Sequence, residues 1–171
     1  MRRISDLPEG EAAAALRACC ASSRWVERML SQRPFKDADE VFESAERIWN
    51  DLGREDWLEA FAAHPRIGGQ AVRRSEGRDG HGALGDGWSA TEQAGVQDAA
   101  KARLAEVNRE YEANFGWIYI VCATGKTGEE MLAIAQSRLT NAPDAELKIA
   151  AAEQAKITRL RLIKLLEIGS A

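Results

Sequence analysis

Apolar positions recur at spacings of three and four along most of this chain, the pattern of one buried helix face. Glu9 to Ala21 is Ala-rich around Leu16 and reads as a helix. Arg24 to Leu30 forms a shorter second segment, closed by Pro34. Asp37 to Leu52 carries Val41, Ala45, Ile48 and Trp49 on one face, with Gly53 ending it. Glu55 to Ala63 places Trp57, Phe61 and then His64 together before Pro65 stops the run. A polar, Gly-rich stretch from Gly68 to Trp88 follows, longer than most loops in compact domains. Ser89 to Asn114 resumes the helical period with Ala100, Leu104, Val107 and Tyr111, and Phe115-Gly116 breaks it. Trp117 to Cys122 is a short apolar run that fits a buried strand or an extended linker. Thr127 to Leu139 is a helix whose Thr127 and Glu130 make a capping box. Asn141-Ala142-Pro143 is a turn, and Pro143 to Ile168 is a long closing helix. One extended run among so many helical segments cannot make a sheet. The expected fold is all-α: a single-domain bundle of seven to eight helices over residues 1–171, with the Gly-rich loop before the central helix.

Composition narrows the function. The 171 residues suffice for a core without disulfide or metal staples. The formal net charge of −4 supplies no global field for nucleic acid. No apolar run reaches the roughly 18–20 residues of a membrane span. The first residues lack the apolar stretch of a secretory signal, and the unspaced cysteines fit a reducing compartment, so a cytoplasmic protein is expected. With only 2 His, and with Cys19, Cys20 and Cys122 offering no C-x-x-C pair, no metal site is expected. Half of the 14 Gly fall between Gly68 and Gly87, with His64 just before that stretch and His81 inside it.

Four constellations carry candidate chemistry. His64-Pro65-Arg66-Ile67-Gly68 puts an imidazole at a helix end, where it suits acid–base work and is also favoured by the helix dipole alone. Ser89-Ala90-Thr91-Glu92-Gln93 has the spacing of a helix cap. The same helix start can receive a carboxylate, with Glu92 as acid or base and Gln93 reading a urea-like group. Gly125-Lys126-Thr127 has the ending of a phosphate loop, but Ile120 stands where that loop needs its first glycine, so it reads as a turn and cap. Arg161 shares a face with Ile157 and Ile168. Snorkelling to water is the expected state, and a buried guanidinium would instead suit a substrate carboxylate. Cys122 reads as core, and nothing near Cys19 and Cys20 marks them as nucleophiles. His81 reads as solvent-exposed.

In order and spacing, His64-Pro65-Arg66-Ile67-Gly68, Ser89-x-x-Glu92-Gln93-x-Gly95, Asn108-x-x-Tyr111 with Phe115-Gly116, and Lys156-Ile157 with Arg161-Leu162 resemble the 2-oxo-4-hydroxy-4-carboxy-5-ureidoimidazoline (OHCU) decarboxylases of urate breakdown. The match includes Gly125-Lys126-Thr127 and Asn141 and spans nearly the whole chain. It implies an all-helical, cofactor-free carboxy-lyase whose product is (S)-allantoin, with loss of CO₂. By the same resemblance, His64 and Glu92 are the catalytic acid–base pair. Pro65, Ser89, Gln93 and Arg161 line or contact the substrate, and Tyr119, Ile120 and Val121 bind it through backbone groups. The implied partner is a small molecule, without nucleic acid or membrane, and a homodimer is compatible with the sequence. Two other readings stand beside it: a helical interaction module without chemistry, and a small nucleotide-binding enzyme using Gly125-Lys126-Thr127.

Overall fold

The computed structural model describes residues 4–66 and 98–168. Among them are seven α-helices and no strand, the all-helical architecture expected from the periodicity. The helices are α1 (Glu9–Cys19), α2 (Ser23–Ser31), α3 (Ala38–Asn50), α4 (Arg54–Ala62), α5 (Asp98–Phe115), α6 (Gly128–Arg138) and α7 (Pro143–Ile168).

Local chemistry sets most of their ends. The α1 helix is shorter than expected: it stops at Cys19, and Cys20 is extended. The reason lies just beyond it. Ser22 caps α2, its hydroxyl accepting from Trp25 N at 3.2 Å, so the chain must leave α1 before it can turn into the cap. Asp37 caps α3 in the same way, accepting from Glu40 N at 3.0 Å. The capping box of α6 is present: Thr127 Oγ1 accepts from Glu130 N at 3.2 Å, and Glu130 Oε2 accepts from Thr127 N at 2.7 Å. These bonds also hold the Glu130 carboxyl below its usual range. The α7 helix opens on Pro143, whose missing N–H costs nothing in the first turn. Gly116 ends α5 with φ +82°, a conformation that side chains with a Cβ rarely adopt, while its N–H bonds back to Glu112 O at 2.8 Å.

The chain divides into two compact units, Met1–Ala60 with Ala155–Ala171, and Phe61–Gln154. The divisions fall inside α4 and α7. In the first unit α1 packs on α2 and α2 on α3. Leu16, Trp25, Met29, Val41 and Ile48 are buried there. The one polar tip among them is accounted for, since Trp25 Nε1–H donates to Ala45 O at 3.1 Å.

In the second unit α5 packs on α6, burying Leu104, Tyr111, Met131 and Ala135. The apolar run between these helices is neither strand nor helix, yet every residue from Tyr119 to Ala123 is buried. Its backbone groups therefore need partners other than a ladder. Ile120 O accepts from Arg138 Nη1 at 2.9 Å, Cys122 N donates to Glu153 Oε2 at 2.7 Å, and Cys122 O accepts from Lys126 Nζ at 2.7 Å. Gly125, with φ +77°, completes a turn closed by Lys126 N donating to Ala123 O at 3.0 Å. Gly125-Lys126-Thr127 is thus a turn and a helix cap.

Candidate active site

His64 lies two residues beyond the last residue of α4, its N–H still bonded to Phe61 O at 3.0 Å. Pro65 follows and cannot continue the helical ladder, so the imidazole stands on a short, sharply ended segment. Arg66 ties that segment to α5 through a two-pronged pair with Glu112, at 2.7 Å and 3.2 Å. The pair is largely in water and contributes at most about 1 kcal/mol, so it steers the segment more than it stabilises the fold.

The His64 ring is half-buried and meets α7. Its Nε2 is 2.6 Å from Oε1 of Gln154, a side chain with no solvent exposure. A buried amide costs free energy unless it is hydrogen-bonded, so this contact sets the position of both groups.

The same unit also holds a buried ionic cluster. Glu146 is fully buried and Arg138 nearly so, with Arg138 Nη2 2.5 Å and Nε 2.7 Å from Glu146 Oε1. The Tyr111 hydroxyl also donates to Glu146 Oε1, and Asn141 Nδ2 donates to Oε2 at 2.6 Å. The guanidinium lies 4.8 Å from the centre of the Tyr119 ring. Burial, followed by the bond to Glu146, pushes the Tyr111 hydroxyl well above the usual phenol range; burial does the same to Tyr119. Both phenols stay neutral donors at any physiological pH. Through Arg138 the cluster reaches the Ile120 carbonyl, so it sets the path of the Tyr119–Val121 backbone.

The other expected site residues fall as follows. Tyr119, Ile120 and Val121 are all buried in the second unit; the Tyr119 hydroxyl donates to Met131 O at 3.3 Å, and the Ile120 carbonyl already accepts from Arg138. Arg161 does not snorkel. It is 6% exposed, with Nη1 3.5 Å from Ala18 O. The snorkelling expectation failed because the guanidinium is enclosed at the end of α1, close to Ala18, Cys19 and Cys20. Ser89, Glu92, Gln93 and His81, with the whole Gly68–Trp88 stretch, lie outside the described residues. Cys122 is core, as expected. Burial pushes both Cys19 and Cys20 thiols up, Cys20 to about 12, and thiols that stay protonated near neutrality are poor nucleophiles. Among the described residues no group of three or more His, Cys, Asp or Glu is placed to hold a metal.

Sequence reasoning missed Gln154, Arg138 and Glu146. Arg138 sits in the last turn of α6 and Glu146 in the first turn of α7, where each charge is favoured by the helix dipole and passes for an ordinary surface residue. The signal was the stripe of α7. Leu147, Ala150, Ala151, Ile157 and Leu162 are buried at helical spacing, and Glu146, Gln154, Thr158 and Arg161 occupy the same stripe. A polar residue on an apolar stripe is the informative exception.

The described residues thus form an all-helical protein that presents an imidazole at a helix end, held by a buried amide. The family follows from comparison. The family model for OHCU decarboxylase matches residues 5–163, and the chain belongs to this family. It is 36% identical over 150 residues to an Arabidopsis thaliana protein named uric acid degradation bifunctional protein TTL, covering 86% of this chain and 45% of that protein. The chain thus spans less than half of that relative. It is 30% identical to a 2-oxo-4-hydroxy-4-carboxy-5-ureidoimidazoline decarboxylase of Amia calva, over 77% of this chain and 74% of that one. A crystal structure of OHCU decarboxylase in the presence of (S)-allantoin superposes with TM-score 0.73 at 37% identity, covering 90% of this chain and 98% of that chain.

Proposed function

We propose that this protein decarboxylates 2-oxo-4-hydroxy-4-carboxy-5-ureidoimidazoline to (S)-allantoin and CO₂, acting in the cytoplasm and without a cofactor. The observation that carries the reading is the likeness, over 90% of this chain and 98% of that one, to the OHCU decarboxylase solved in the presence of (S)-allantoin. The half-buried, amide-held His64 supports it by supplying acid–base chemistry. A purely structural interaction module would not need that arrangement.

The reaction balances without an outside oxidant or reductant. The bond from the ring carbon to its carboxylate breaks, CO₂ leaves, and the electron pair flows into the neighbouring ring C=N bond, whose nitrogen takes up a proton from solvent. The hydroxyl on the decarboxylating carbon gives up its proton and becomes the carbonyl of allantoin. The adjacent carbon, which bears the ureido group, takes a proton on one face. His64 and Glu92 divide between them the removal of the hydroxyl proton and the delivery of the proton to carbon. Arg161 receives the carboxylate, Ser89 and Gln93 hold the ureido and ring amides, and Pro65 with the Tyr119–Val121 backbone completes the wall. Protonation from one fixed side yields one hand of product.

Circular dichroism on freshly generated substrate tests this. The wild type builds one-handed allantoin above the spontaneous background, and His64→Gln loses at least roughly a hundredfold in rate while remaining folded. A variant with near-wild-type rate and optical purity would sink the assignment.

A further inference from the structure

Gln154 is an odd residue for its position. It lies in the middle of a long helix, fully buried, on a stripe otherwise rich in Ala, Leu and Ile. Its amide oxygen is 2.6 Å from His64 Nε2. An amide oxygen only accepts hydrogen bonds, so the ring nitrogen facing it must carry a proton. In neutral imidazole one nitrogen is a donor and the other a basic acceptor, and a partner on one nitrogen decides the role of the other.

We infer that Gln154 is a positioning residue for the proposed decarboxylation: it fixes His64 as the Nε2–H tautomer and so makes Nδ1 the basic nitrogen. Nδ1 is then the atom that exchanges a proton during turnover. The choice of an amide matters. A carboxylate at this position would stabilise the imidazolium and hold the proton, whereas an amide orients the ring and leaves it neutral and basic. An apolar residue would take the Gln154 acceptor away from Nε2–H and remove that restraint on the ring. Gln154 therefore acts on turnover through His64, by keeping one nitrogen aimed and correctly protonated, and contributes little to substrate affinity.

This inference rests on the proposed activity for its meaning but not for its test. The chain has only 2 His, so ¹⁵N-histidine labelling gives two ring systems, and His64→Gln assigns the His64 signals by their disappearance. At pH 8 the wild type should show a proton on His64 Nε2 that exchanges slowly with water, and an unprotonated Nδ1. Gln154→Glu, which keeps an acceptor oxygen, should keep the Nε2 proton. Gln154→Leu, checked for folding by thermal melting, should lose the slow exchange. A wild-type His64 protonated on Nδ1 would overturn the inference, as would a Gln154→Leu protein that melts cooperatively and keeps the slowly exchanging Nε2 proton. In turnover, Gln154→Leu should lower kcat about tenfold with KM nearly unchanged, and a change confined to KM would also count against it. No turnover by the wild type, with the tautomer found as stated, would refute the activity and leave the positioning of His64 standing.

Discussion

The two compact units solve the problem of a core differently. The first closes over apolar side chains, Leu16, Trp25, Met29, Val41 and Ile48, with the Trp25 N–H satisfied by a backbone carbonyl. The second buries Leu104 and Met131 but builds around an ion pair, with Glu146 accepting from Arg138, Tyr111 and Asn141. An apolar core tolerates swaps of similar volume. An ionic core is held to one arrangement, because taking away a single member strands a charge in a medium that cannot solvate it. The difference follows the work that each region does. The second unit must hold an irregular buried segment, Tyr119 to Ala123, whose carbonyls and N–H groups have no ladder to join. Charged side chains meet much of that demand, Arg138 at the Ile120 carbonyl, Glu153 at Cys122 N and Lys126 at the Cys122 carbonyl.

Breaking the ionic core should have the largest effect. Glu146→Ala leaves the Arg138 guanidinium buried beside a neutral phenol and should cost about 3–5 kcal/mol in urea unfolding. Replacing both partners together, Arg138→Met with Glu146→Leu, should recover part of that loss, the remainder being the Ile120 carbonyl and the Tyr111 and Asn141 donors left without their partners. A double variant no more stable than the single would show that the pair matters through shape alone, and the contrast between the two units would fall.

The first unit has its own sensitivity, to alkali. Cys19 and Cys20 are buried with their thiols raised by burial, Cys20 from an ordinary 9.0 to about 12. The unfolded chain then loses these protons before the folded chain does. Stability is fully present below pH 9 and falls as the pH rises above it, by about 1.4 kcal/mol per pH unit per thiol until the folded value is reached. Urea midpoints at pH 8, 9 and 10 measure this. Cys20→Ala should remove one thiol's share of the slope, and an unchanged slope would mean that the thiol ionises without unfolding.

The smallest expected effect lies on the rim of the second unit. Thr127→Ala removes the N-cap of α6 and should cost about 1 kcal/mol, with no change in kcat, since the cap serves the helix alone. A drop in turnover would tie the cap to the neighbouring buried segment and blur the line between scaffold and site.

Much of this molecule was legible in the order of its residues. The helical periods of α2, α3 and α5, the Ser-, Asp- and Thr-headed caps, Gly116 after α5, and Pro143 at the start of α7 are local devices, and local chemistry settles them within a few residues. His64 could be singled out because a scarce imidazole before a Pro is visible in one short window. Tertiary structure decided what lies buried. Arg161 is enclosed where a lone helix would let it snorkel, Arg138 and Glu146 become partners across the turn between α6 and α7, and the carbonyl of Ile120 is claimed by a side chain of α6. Gln154 meets His64 from ninety positions away. Pairings of that kind depend on burial, which only the packed chain creates: water satisfies each of these groups separately in the unfolded chain, and once water is excluded each must find the other.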